Sequence, residues 1–152
     1  MKAFRAATGF LLRIAQTRAG AEQVINAGLF QALRGCQLFS VDPDLGVGQY
    51  SSSTHHVCAA LTEGKIGFND PQALQKYYEL LLDIVRVVVA CILSRGPQNR
   101  QMIDAGKLFL LEARSIAVTV FKRHSGIGGK SIGGLKPLVD LFVLLFALTE
   151  EE

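Results

Sequence analysis

The sequence predicts an all-α fold, because apolar residues recur at helical spacing in segments that glycine, proline and polar residues separate. The clearest segment begins at Asp70 and Pro71, since an aspartate side chain can cap free backbone amides and proline fits the first helical turn. It ends near Gly96 and Pro97, where glycine can adopt the left-handed conformation and proline cannot continue the helix. The apolar stripe between these ends comprises Leu74, Tyr77, Tyr78, Leu81, Val85, Val88 and Ile92. A long helix is therefore predicted, and its apolar end at 87–93 is expected to be covered on several sides.

An internal repeat is the second observation. Residues 11–30 (LLRIAQTRAGAEQVINAGLF) are similar to residues 89–109 (VACILSRGPQNRQMIDAGKLF), and 78 residues separate Gly28 from Gly106. Each copy predicts a long helix, a polar corner, a short helix, a glycine corner and a further helix. Armadillo and HEAT units have about 40–47 residues and two or three helices. We therefore predict an α-solenoid of armadillo/HEAT-like helical repeats, with chance duplication of a helical hairpin as the alternative.

The first repeat-like unit covers residues 2–38. An amphipathic helix is predicted over 2–16, a short helix over 21–27 and a third helix over 29–38, with Gly28 breaking the chain between the last two. Residues 40–69 follow as a loop or insert rich in glycine, serine and other turn-forming residues. This loop has few apolar residues, so two units separated by a polar spacer are favoured over consecutive shorter units.

The second repeat-like unit covers residues 71–123. After the long helix, a short helix is predicted over 99–103, a corner at 104–106 and a second long helix from Lys107.

A glycine linker at 125–134 and a final helix at 135–149 complete the chain. Between residues 138 and 148 only Asp140 is polar. Because the ends of a solenoid need polar caps, such a helix is expected to pack against protein beyond this chain, and we expect a fragment of a longer solenoid.

The composition excludes several classes of protein. With 49% hydrophobic and 19% charged residues, the chain has the composition of a folded protein. Its mean hydropathy of +0.29 is high, but no stretch supplies the roughly 20 uninterrupted apolar residues of a membrane span. Burial against more protein is the better explanation.

Charge and cysteine content further limit the possible binding partners and the cellular compartment. The net charge of +3 is mild and its basic residues are scattered, which argues against direct nucleic-acid binding. Cys36, Cys58 and Cys91 are odd in number and irregularly spaced, which favours a reducing compartment without structural disulfides.

Several segments together resemble the giant scaffold nucleoporins of the nuclear pore inner ring, near their C-terminal ends. The segments that carry the likeness are residues 17–21, 24–30, 42–46, 74–82 (LQKYYELLL), 93–96, 98–99 and 135–145 (LKPLVDLFVLL). The resemblance implies an all-helical solenoid that builds the pore scaffold and receives short helical segments of linker nucleoporins.

The chain departs from the family pattern at residues 47–68. In the family, the turn at 42–46 leads fairly directly into the helix that begins near Pro71. The intervening residues are either a lineage-specific loop or untranslated sequence included by a faulty gene model.

Four sites in the sequence invite a chemical interpretation. The loop from Gly126 through Lys130 and Ser131 (GIGGKS) is similar to a phosphate-binding loop, but it lacks the first glycine and a preceding strand, so a linker is favoured. His55, His56 and Cys58 offer metal ligands without a second ligand pair at zinc-site spacing. His124 stands at a helix end, where a cation suits the helix dipole. Tyr77 and Tyr78 are more plausible as core residues than as a stacking platform.

The favoured function is that of a structural scaffold component of the nuclear pore complex, at the nuclear envelope, which supports nucleocytoplasmic transport and binds other nucleoporins through helical surfaces. No enzyme activity, cofactor or metal is expected, and the sequence does not locate the partner-binding residues. The alternatives are an armadillo/HEAT adaptor outside the pore and a nucleotide-binding enzyme that uses the Gly126 loop.

Overall fold

The computed structural model describes residues 2–39, 71–96, 98–126 and 135–150, and the described residues form helices and connecting turns without any β-strand. The all-α prediction is therefore confirmed. The helices are α1 (Lys2–Ala15), α2 (Arg18–Asn26), α3 (Leu29–Arg34), a short 3-10 helix (Gln37–Phe39), α4 (Pro71–Arg95), α5 (Arg100–Glu112), α6 (Arg114–His124) and α7 (Leu135–Thr149).

The corner between α1 and α2 is held by local hydrogen bonds and by close packing. The hydroxyl of Thr17 accepts a hydrogen bond from the backbone N–H of Gly20 at 3.1 Å, which caps α2. A Cβ atom at Gly20 would overlap with the carbonyl oxygen of Ile14. The tight corner therefore depends on a residue without a side chain.

The 25-residue helix α4 is the centre of the molecule and contacts α1, α2, α5 and α7. Its stripe of apolar residues is buried as the sequence predicts, and Tyr77, Leu81, Val85 and Val88 have no exposed surface. The hydroxyl of Tyr77 donates a hydrogen bond of 2.8 Å to the carbonyl oxygen of Leu38, which joins the end of the first unit to α4.

Two hydrophobic clusters lie on different sides of α4. The smaller one packs α1 and α2 against the C-terminal part of α4, and its buried residues are Ala15, Ala21, Val24, Val87 and Cys91. The larger one joins α4 to α5, α6 and α7. These two contacts explain why residues 87–92 are almost entirely apolar, whereas Leu93, at the end of the run, is half exposed.

Helices α1 and α4 run in the same direction with a constant register. Near the start of α1, Arg5 Nε lies 3.3 Å from Asp83 Oδ2. At its end, the hydroxyl of Ser94 donates a hydrogen bond of 2.6 Å to the carbonyl oxygen of Ala15. Arg34 also pairs with Glu112 at 3.2 Å, and both ion pairs join residues that are 78 positions apart. Equivalent positions of the two sequence repeats therefore touch each other.

The predicted corner at residues 104–106 is wrong. Gly106 is buried inside α5, which continues as one helix to Glu112, and the chain instead changes helix at Ala113. A Cβ atom at Gly106 would lie 2.9 Å from Ile92 Cδ1 and 3.1 Å from Thr149 Cγ2. The glycine thus permits close packing of α5 on α4 and α7.

The end of the first unit also differs from its prediction. The single helix expected over 29–38 is divided, because α3 ends at Arg34 and only the short 3-10 helix follows at Gln37–Phe39. The expected features of residues 40–69, the cap at Asp70 and the linker residues 127–134 lie outside the described residues. The expected left-handed glycine after α4 is observed at Gly96, with a φ of 87°.

Candidate partner-binding surface

Helix α7 has one face in the core and one face towards solvent. Its buried residues recur every three or four positions and pack on α4, α5 and α6. Phe142 has no exposed surface, and its ring centroid lies 6.5 Å from that of Phe121 on α6. The buried residues of α7 are Leu135, Leu138, Phe142, Leu145 and Thr149.

The solvent-facing side of α7 changes character along its length. In the first half, Lys136 and Asp140 are exposed and form an ion pair of 2.8 Å. In the second half, Val143 is 54% exposed and Phe146 is 40% exposed, with Leu144 between them. We call these three residues the outer face of α7. The core of the described residues thus buries only one face of this apolar helix. The outer face is available to another protein surface.

Two of the surface cavities are lined by described residues. The smaller, of about 350 Å³, lies beside Phe39 and Phe109, whose rings meet edge to face at a centroid distance of 5.3 Å, and beside the Arg34–Glu112 ion pair. The larger, of about 540 Å³, lies where α4 ends and α5 begins, and Arg18, Arg95 and Arg100 line it. The sequence analysis missed this second site. The available signal was the position of all three arginines in or directly beside the polar corners of the repeat.

The structure describes only some of the residues that the sequence offers for chemistry. His55, His56, Cys58, Lys130 and Ser131 lie outside the described residues. His124 is an exposed residue in the last turn of α6, beside Lys122 and Arg123, which agrees with its expected position at a helix end. Among the described ranges, no group of three or more histidine, cysteine, aspartate or glutamate side chains is arranged to hold a metal ion.

The two described cysteines are both protonated at neutral pH. Burial in the apolar cluster raises the pKa of the Cys91 thiol to about 11. Burial also raises the pKa of Cys36, although a hydrogen bond with the backbone of Leu38 partly opposes this effect. Because the thiolate is the nucleophilic form, neither side chain is activated for covalent chemistry. Tyr77 and Tyr78 are both buried, as expected of core residues.

Within the described ranges, no helix combines the length and the apolar character that crossing a membrane requires.

Comparison with known proteins identifies the family. The sequence model described as "Nup192: Nuclear pore complex scaffold, nucleoporins 186/192/205" matches residues 2–149. Nucleoporin NUP192 of Chaetomium thermophilum is 36% identical to this chain over 123 residues, which is 81% of this chain and 6% of that protein. No solved structure gives a significant match. The match points to the nuclear pore complex at the nuclear envelope, and the chain belongs to the nuclear pore complex scaffold family of nucleoporins 186, 192 and 205.

Proposed function

We propose that this chain is a stacked section of an α-solenoid in the nuclear pore scaffold, and that the outer face of α7 binds an amphipathic helix of another nucleoporin. The observation that carries the proposal is the apolar outer face of α7 in a member of a scaffold family. The matched nucleoporin is much longer than this chain. The 123 residues of this chain that match it correspond to only 6% of the nucleoporin's length.

The register of the two units supports the solenoid. In stacked repeats, each unit packs on its sequence neighbours, so equivalent residues of adjacent units lie side by side. Arg5 with Asp83 and Arg34 with Glu112 satisfy this expectation, since each pair spans one repeat offset. The parallel direction of α1 and α4 is also that of equivalent helices in successive units.

The chemistry of α7 favours a helix as its partner. Val143 and Phe146 are one turn apart on the same side of α7, and Leu144 widens the stripe. A second amphipathic helix could bury its own apolar stripe against these side chains without leaving backbone groups unsatisfied, because helices satisfy them internally. The neighbouring Lys136–Asp140 pair would lie at the polar edge of this contact.

The test uses the 152-residue chain as bait for a nuclear envelope extract, with captured proteins identified by mass spectrometry. The double variant Val143→Glu/Phe146→Glu places two charges on the outer face of α7. We expect it to recover at least about tenfold less nucleoporin than the unmodified chain, because charges would be buried against an apolar partner.

The matched control, Gln16→Glu/Ser115→Glu, adds the same charge at two exposed polar positions, one in the turn directly after α1 and one in α6. It should recover nucleoporins normally, and circular dichroism should show both variants to be as helical as the unmodified chain. Equal recovery of nucleoporins by the outer-face variant and the control would refute the proposal.

A further inference from the structure

The larger surface cavity lies at the corners of both repeat units. Arg18 is the first residue of α2, Arg95 is the last residue of α4, and Arg100 is the first residue of α5. All three line one concave space of about 540 Å³, together with Gln98 and Gln101. Sequence positions far apart in the chain are thus brought to a single polar site.

The charges in this cavity are only partly neutralised. Arg95 Nη1 forms an ion pair of 2.9 Å with Glu22 Oε2. Arg18 and Arg100 form no ion pair within the described ranges of the chain, and both side chains are exposed. Only one of the three guanidinium groups is therefore paired with a carboxylate, and the described residues that line the cavity include no acidic side chain, so the site has a local excess of positive charge.

We propose that this cavity binds an acidic segment of a protein partner, with at least two carboxylates directed at Arg18 and Arg100. A guanidinium group presents a planar set of N–H donors that matches a carboxylate, and it remains charged at every physiological pH. The amide groups of Gln98 and Gln101 add hydrogen-bond donors and acceptors on the same wall. A space of this volume suits a few side chains rather than a whole helix.

The lining favours a protein over a nucleic acid or a membrane. No aromatic side chain on which a base could stack is among the described residues that line the cavity, and the net charge of the whole chain is only +3. These lining residues also include no large apolar side chain that would enter a lipid layer. This site is separate from the apolar outer face of α7, and its test is independent of the proposed pore function.

The test measures binding of a fluorescein-labelled hexaglutamate peptide to the 152-residue chain by fluorescence anisotropy, at low ionic strength. The double variant Arg18→Gln/Arg100→Gln should weaken binding by at least about tenfold, because two charge-assisted contacts are lost. Both side chains are exposed, so the fold should be retained, and circular dichroism checks it. A labelled hexaglutamine peptide should not bind.

Arg13→Gln/Arg114→Gln is the matched control, since it removes the same charge from exposed arginines that do not line the cavity. It should change hexaglutamate affinity less than about twofold, as expected for screened surface charges. Equal effects of the two double variants would overturn the assignment, as would an absence of hexaglutamate binding. Tighter binding of a labelled decauridine RNA that is lost in Arg18→Gln/Arg100→Gln would also overturn it, in favour of a nucleic-acid site.

Discussion

The dipeptide Ala-Gly occurs at equivalent places in the two repeat units and takes two different conformations. Gly28 has a φ of 94° and separates α2 from α3. Gly106 lies inside the continuous helix α5 and is buried. The same local sequence thus forms a corner in one unit and the middle of a helix in the other, so its conformation is set by the surrounding helices.

The neighbours of the two glycines differ. A Cβ atom at Gly28 would meet only the side chain of Gln31, at 3.4 Å. At Gly106 the same atom would press on Ile92 of α4 and on Thr149 of α7. Close packing of α4 and α7 on α5 at Gly106 favours the continuous helix, and this gain outweighs the tendency of glycine to end helices. No described residue of α4, α5 or α7 lies within 4 Å of a Cβ atom placed at Gly28.

Truncating a buried side chain that packs α7 on the second unit should have the largest effect on stability. Phe142→Ala should lower the free energy of unfolding by about 4 kcal/mol, because it deletes a fully buried aromatic ring and leaves a cavity. Urea denaturation followed by circular dichroism measures this change. Val143 is the next residue and is exposed. Val143→Ala should therefore change the free energy of unfolding by less than about 0.5 kcal/mol. Similar losses in both variants would show that α7 is not packed as described.

Asparagine at each glycine tests the comparison directly. Gly106→Asn should cost about 3 kcal/mol, because it forces an amide side chain against Ile92 and Thr149 and buries polar atoms. Gly28→Asn should cost less than about 1 kcal/mol, since asparagine tolerates the left-handed conformation and the position has space. Thermal or urea unfolding of the two variants gives the difference. A larger loss at Gly28 than at Gly106 would contradict the two environments.

The smallest effect concerns the register of the two units. Arg34 and Glu112 are 50% and 39% exposed, so their ion pair should contribute only about 0.5 kcal/mol to stability. A double-mutant cycle with Arg34→Gln and Glu112→Gln measures their coupling, which should decrease in high salt. Combining Arg13→Gln with Glu112→Gln should show no coupling. A coupling of zero for the first pair would remove one of the two ion pairs that span the repeat offset.

Sequence patterns predicted helices well where one strong signal was present. The stripe of α4 from Leu74 to Ile92 is long and periodic, and Gly96 at its end is left-handed as expected. The corner expected near Gly106 failed, since a glycine that permits close packing carries the same local signal as one that ends a helix. The arginine cavity was not predicted, because Arg18 and Arg100 come together only through the packing of α2 and α4.

The sequence by itself determined the helical class, the apolar side of each main helix and membership in a scaffold family, because periodicity, helix-ending residues and sequence similarity are properties of the linear chain. The tertiary structure alone decided which face of α7 is buried, which glycine turns the chain and which charged residues share a cavity. These outcomes depend on contacts between residues far apart in the sequence, such as Gly106 with Thr149 and Arg18 with Arg100, whose free energies outweigh local conformational preferences.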